Sequence, residues 1–349
     1  MVFKVDTSNH ETVLYGFPGT DGANPAAPVA VDSSGNLYGT TPNGGMAGVG
    51  VVYKIDTSGR ETVLYSFMGG ADGASPSAGV VMDAAGNLYG TTDGGGSTGA
   101  GVVFKIDPAG HETALHSVTG PPWPGTGTDG YDPNGGVILD SAGNLYGTTN
   151  AGGATSGGIV YKLDSSGNYT ILYDFKGGLA DGSAPQSGVV RDPAGNLYGA
   201  AWAGGHDYYG RGVGVVYKLD PSGNETVLYN FCSVPICLDG ASPWGGVALD
   251  AAGNLYGGTQ SGGPSATDEP GVVYKVDATG HETTLYPFVG TTDGKTHAIV
   301  SRTGVIRIAG YKKDVAGMVG GRGIAGHPDG RKKEAVGRGG LLVDELVRG

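Results

Sequence analysis

Apolar residues along this chain fall in short strand-like runs separated by turn residues, and the same runs keep returning. Gly79–Asp83 is a β-branched run, Asp83–Asn87 is turn chemistry and Leu88–Thr92 is a second run, so the three predict a hairpin. A Gly-rich loop over Asp93–Ala100 follows. Then Gly101–Asp107 and Glu112–Val118 predict a second hairpin around Pro108-Ala109-Gly110.

Three strings mark the recurrence. Gly-Asn-Leu-Tyr-Gly begins at Gly35, Gly86, Gly143, Gly195 and Gly253, each three residues after an Asp (Asp32, Asp83, Asp140, Asp192, Asp250). A Val-x-[Tyr/Phe]-Lys-x-Asp type string places Lys at 4, 54, 105, 162, 218 and 275. Asp-Gly-x-x-Pro starts at Asp21, Asp72, Asp129, Asp181 and Asp239. The order never changes, and the period is 50 to 58 residues. Four antiparallel strands per such period predict an all-β fold, a β-propeller of four-stranded blades. The rival, a β-solenoid, has much shorter coils.

The inner hairpin occurs five times and the outer one six, the first at Val2–Phe17, so the chain starts in mid-blade. Pairing that half with an inner half from the far end predicts six blades: five complete repeats plus the N-terminal half. The expected partner, Gly304-Val305-Ile306-Arg307-Ile308-Ala309-Gly310, resembles an inner strand but lacks the Asp and the Asn-Leu-Tyr strand.

Composition supports this reading and adds a boundary. The 71 Gly and 19 Pro among 349 residues do not follow a collagen period, and 38% apolar residues with 19 Tyr argue against disorder. No apolar run is long enough to span a membrane, and a net charge of −12 argues against a nucleic-acid partner. Residues 295–349 hold 11 Lys and Arg against 5 Asp and Glu, whereas residues 1–294 hold 10 against 28. The expected division is therefore a propeller over 1–294 and a degenerate last blade or unrelated, irregular basic tail over 295–349.

Residues required once per repeat are expected to serve the fold. The five repeated Asp read as turn residues that accept hydrogen bonds from their own turn. The Lys of the second string would face Glu11, Glu61, Glu112, Glu225 and Glu282 on the next strand. Asp-Gly-x-x-Pro loops offer one reliable carboxylate each, few for calcium, so turns are expected and no cofactor or metal is. The His-Glu-Thr triplets at His10, His111 and His281 read as solvated turns. No phosphate loop or His-Glu-x-x-His motif is present.

The repeat strings resemble the GloVer-type tandem repeat of bacterial surface and secreted proteins over residues 1–294. Asp-x-x-Gly-Asn-Leu-Tyr is also similar to NHL-type, streptogramin-lyase-like and gluconolactonase-like propellers. The resemblance implies a secreted or cell-envelope protein. In that setting Cys232 and Cys237, within one insertion, are expected to form a disulfide.

Function is expected where copies differ. The fourth complete repeat carries Trp202-Ala203-Gly204-Gly205-His206-Asp207-Tyr208-Tyr209-Gly210-Arg211, residue types that stack on sugars and bond hydroxyls or an anion. Trp123 and Tyr131 enrich the third copy's loop, and Trp244 follows the last Asp-Gly-x-x-Pro. Two readings follow. In the first, a monomeric binding or scaffold propeller engages a glycan or protein through Trp202, Tyr208, Tyr209, Trp123, Tyr131 and Trp244. In the alternative, a polysaccharide- or lactone-active hydrolase or lyase uses His206 as acid or base, with Asp207 and Arg211 assisting.

Overall fold

The computed structural model describes residues 1–6, 10–120, 129–207, 212–264 and 271–288, together with the short strands Ala298–Val300, Ile306–Ile308 and Leu341–Val343. Five antiparallel sheets follow one another along the chain, four of them four-stranded and the last with Ala241–Pro243 added as a fifth strand. The second is Val81–Met82, Leu88–Thr92, Val102–Ile106 and Glu112–Ser117, each paired with the next. The first (30–66), third (137–174), fourth (190–230) and fifth (248–287) repeat it, and Val2–Val5 with Glu11–Tyr15 supplies an outer half in front. The sole helical element among the described residues is a 3₁₀ turn at Pro235–Cys237.

Successive sheets pack face to face, which is the blade arrangement of a β-propeller. The third strand of each blade is buried on both sides and so reads as an unbroken apolar run such as Val51-Val52-Tyr53. Val51, Tyr53 and Ile55 pack against Val2, Leu14 and Phe17 of the half blade. Val52 turns the other way and, with Phe67, packs on Val102 and Phe104 of the second blade. The same contacts join the second blade to the third, the third to the fourth and the fourth to the fifth.

Each interface is centred on aromatic rings. Phe67 packs edge-on at 5.1 Å from Phe104 of the next blade, Phe175 at 5.0 Å from Tyr217, and Phe231 at 4.8 Å from Tyr274. These rings explain the closing Gly of Gly-Asn-Leu-Tyr-Gly. A Cβ on Gly90 would lie 2.6 Å from Phe104 Cζ, and one on Gly199 would lie 2.6 Å from Tyr217 Cζ. The rest of that string is turn chemistry, as expected. Asp32 Oδ1 accepts from the Ser34 and Asn36 amides, both at 2.9 Å, while Oδ2 accepts from Asn36 Nδ2 at 2.7 Å and the Tyr38 hydroxyl at 3.0 Å. Asp83, Asp140, Asp192 and Asp250 hold the matching Asn and Tyr in the same way.

The interface between the second and third blades shows three coordinated changes. Val118 stands where other copies have Phe, His116 where they have Tyr, and Tyr169 where they have Glu. Tyr169 stacks 4.9 Å from Tyr161 and 3.9 Å from His116. Its hydroxyl donates to the Asp129 carbonyl at 2.9 Å, and His116 Nε2 lies 3.2 Å from Asp129 Oδ2.

Two expectations are corrected. Register sets Lys54 opposite Thr62 and Glu61 opposite Ile55, so Lys and Glu are not cross-strand partners; Lys54 instead sits 5.6 Å from the centre of the Tyr38 ring. Glu61 turns into the blade interface, where burial and the charge of Asp21 push its carboxyl up to about 7. Second, Ile306–Ile308 pairs with Ala298–Val300, and Val2–Lys4 pairs in parallel with Leu341–Val343. The segment proposed to close the half blade therefore does not serve as its inner strand. It lacks the Asp turn and the Asn-Leu-Tyr-Gly strand on which every inner hairpin is built.

Candidate functional site at the loop-bearing end of the propeller

Two loop positions meet at one end of the blades, and both vary between copies. One follows the Pro of Asp-Gly-x-x-Pro: Ala26, Ser77, Asn134, Gln186 and Trp244. The other ends the second strand, just after Thr-Thr or its equivalent: Pro42, Asp93, Asn150, Trp202 and Gln260. Proline packing brings them together, since Pro76, Pro133, Pro185 and Pro243 each lie over a Gly of the preceding blade (Gly50, Gly101, Gly158 and Gly214). The residue before each Pro is held in the left-handed region, with φ of 56° at Ser75, 58° at Asp132, 53° at Ala184 and 54° at Ser242. Their amides donate to carbonyls of the previous blade, as Asp132 does to Ala100 at 3.0 Å.

The side chains that result form a polar rim across neighbouring blades. The Ser77 hydroxyl donates to Asp93 Oδ1 at 2.6 Å. Gln186 Nε2 donates to Asn150 Oδ1 at 3.0 Å, Asn134 Nδ2 donates to Gln186 Oε1 at 3.2 Å, and Asn150 Nδ2 donates to Asp132 Oδ2 at 3.3 Å. Further round, the Trp202 indole N–H donates to Gln260 Oε1 at 3.3 Å. Trp202 and Trp244 hold the positions that Asn150 and Gln186 hold one blade earlier, and both are open to solvent, at 36% and 44% exposure. Two hydrogen-bonding atoms here have no partner: Asn134 Oδ1 and the hydroxyl of Thr91, which is 1% exposed.

Two carboxyl groups in this rim are displaced in the same direction. Burial, opposed by the Ser77 hydrogen bond and reinforced by the charge of Asp132, pushes Asp93 up to about 7. Burial also raises Asp132, against the hydrogen bond from Asn150.

The residues expected from sequence do not all come together. Trp202 and Trp244 join the rim. Tyr131 is half-buried, bridges to Ala151 and abuts Gly120 in the third copy's loop. His206 is exposed and its amide donates to Asn230 Oδ1 at 2.9 Å, while Asp207 is 1% exposed. Trp123, Tyr208, Tyr209 and Arg211 lie outside the described residues. Cys232 and Cys237 are joined in a disulfide. Asp93, Asp132, Asn134, Asn150, Gln186 and Gln260 were not singled out from the repeat strings. Comparing the two loop positions copy by copy carries the signal that finds them. Among the described residues no group of three or more His, Cys, Asp or Glu could hold a metal ion, and no helix is long and apolar enough to cross a membrane.

Solved structures with a similar course of chain include virginiamycin B lyase from Staphylococcus aureus, 13% identical, covering 78% of this chain and 72% of that one with a TM-score of 0.48. An α-L-arabinofuranosidase from Fusarium graminearum is 14% identical, with 90% and 94% covered and a TM-score of 0.46. A putative glucose dehydrogenase from Thermus thermophilus is 14% identical, with 81% and 89% covered and a TM-score of 0.47. No curated protein sequence matches the chain. The model of the Gloeobacter/Verrucomicrobia repeat matches residues 1–126 and 124–307, and the chain belongs to that family.

Proposed function

We propose that the loop-bearing end of this propeller is a binding surface for a neutral glycan. The observation that carries this reading is the rim itself, where amides and carboxylates joined by hydrogen bonds run up to two exposed indoles. Planar amide and carboxylate groups bond paired sugar hydroxyls, and an indole face packs on the apolar face of a sugar ring. The acidic balance of residues 1–294 and the carboxylates in the rim disfavour an anionic ligand. The Cys232–Cys237 disulfide supports a reading in which this surface works in an oxidising compartment, as in a secreted or cell-envelope protein.

The test is retention on immobilised neutral polysaccharides. Trp202→Ala and Trp244→Ala should each weaken retention about three- to tenfold, the range of an aromatic contact, without lowering the unfolding temperature. Unchanged retention in both variants would remove the reading.

A second reading rests on Asp93 and Asp132. A carboxyl poised near neutrality beside a second carboxylate is the acid and base pairing that glycosidic bond hydrolysis uses. It predicts release of new reducing ends that Asp93→Asn abolishes while retention persists.

A further inference from the structure

The Cys232–Cys237 insertion builds a second site, lined by residues other than those of the rim. An open cavity of about 410 Å³ lies between this loop and the outer hairpin of the fifth blade, lined by Tyr229, Val234, Leu238, Asp239, Glu282 and Thr284, with His281 and Gly280 at one side. Its walls are of two kinds. Val234 and Leu238 of the loop are 38% and 43% exposed, which leaves apolar surface facing solvent. The loop holds them there through its disulfide and through Cys232, Ile236 and Cys237, all in the left-handed region at φ 57°, 56° and 52°.

Opposite stand the carboxylates. Asp239 is 4% exposed, and its Oδ2 accepts from the Tyr229 hydroxyl at 2.6 Å and from the Ser233 amide at 2.8 Å. Its Oδ1 is buried and has no donor, as is true of Asp21 Oδ1 and Asp181 Oδ1 at the same repeat position. Glu282 accepts from the Thr284 hydroxyl at 3.1 Å. No Lys or Arg lines the cavity. Two carboxylates beside an aromatic ring and an apolar wall are complementary to a cation carried on a hydrocarbon body.

We propose that this cleft binds an alkylammonium group, the chemistry shared by a free aliphatic amine and a lysine side chain. The ammonium sits between Asp239 and Glu282 near the Tyr229 ring, and the alkyl chain lies along Val234 and Leu238. The equivalent carboxylates of the preceding blade, Asp181 and Glu225, have no such insertion beside them.

The experiment is calorimetric or NMR titration of the intact, oxidised protein at pH 8, where Glu282 is ionised, with pentylammonium chloride, with 1-pentanol as the uncharged probe and with a short peptide carrying one lysine. Pentylammonium should saturate one site and bind at least about tenfold more tightly than pentanol, the scale of a charge-assisted contact. Glu282→Gln should weaken it by a similar factor, Leu238→Ala should weaken both probes, and Glu225→Gln should change neither. Binding of the peptide would identify a protein partner as the source, and binding of the amine alone would identify a small molecule. Equal affinity for the two small probes, no saturable binding, or equal loss in Glu225→Gln would overturn the proposal.

Discussion

Replacing Gly90 by Ala isolates the contact that makes the blade-to-blade packing possible. Gly90 lies outside the left-handed region, so Ala is compatible with its backbone, and in an open strand the change would stabilise by roughly 0.5–1 kcal/mol. Here the added Cβ would stand 2.6 Å from Phe104 Cζ, 3.1 Å from Cε1 and 3.3 Å from Cε2, against a comfortable carbon separation of about 3.5–4 Å. Phe104 has no room to yield, being 0% exposed and held by Phe67 at 5.1 Å. The expected cost is about 1–3 kcal/mol, the range for overpacking a filled core. Urea unfolding of a double-mutant cycle with Phe104→Leu provides the assay. In the Leu background Gly90→Ala should become neutral or stabilising, giving a coupling of about 1–4 kcal/mol. Additive effects of the two changes would refute the packing explanation for the Gly that closes every Gly-Asn-Leu-Tyr-Gly string.

Stability should peak in mildly acid solution. Glu61, Glu112, Glu225 and Glu282 are raised from 4.5 to about 7, chiefly by burial, so the stability linked to them is full below 4.5 and is lost as pH rises through about 7. Asp32, Asp83, Asp140, Asp192 and Asp250 shift the other way: burial opposes, but hydrogen bonds from Asn, Tyr and the turn amides hold them below 3.8, so their contribution is lost as pH falls below that value. Thermal unfolding should therefore give its highest midpoint near pH 4–5 and a falling one towards pH 8, and a midpoint that rises from pH 5 to 8 would contradict these environments. At the interface of the second and third blades, Tyr169→Glu should destabilise by about 2–4 kcal/mol because it removes the ring stacked on Tyr161 and His116. Restoring Phe at 118 in that background should recover part of the loss, as chemical denaturation would show.

The fold was legible because its determinants recur. Asp32, Asn36 and Tyr38 form a closed hydrogen-bonded turn, Gly39 makes space for Tyr53, and the alternation of Val51, Val52 and Tyr53 addresses two neighbours at once. Each such requirement returns in every blade, so repetition announces it. The candidate site was legible only in part, and for the opposite reason. Trp202 and Trp244 stand out by residue type, but Asp93, Asn150 and Gln186 are ordinary polar residues whose meaning lies in the proline-anchored approach of one copy's loop to its neighbour. That approach joins residues 36 positions apart, as in Gln186 and Asn150, which no single loop displays. The Glu of the outer hairpin misled for a related reason. Glu61 sits one residue from the partner of Lys54 in sequence, but strand alternation sends the two to opposite faces.

The most direct test of the binding account is retention of the intact protein on a panel of neutral polysaccharides, compared with the Trp202→Ala/Trp244→Ala double variant at matched folded concentration. The account predicts retention of the parent on at least one neutral glycan, elution by the free oligosaccharide, and a loss of about tenfold or more in the double variant. Retention that survives the loss of both indoles, or retention only on anionic polymers, would contradict it.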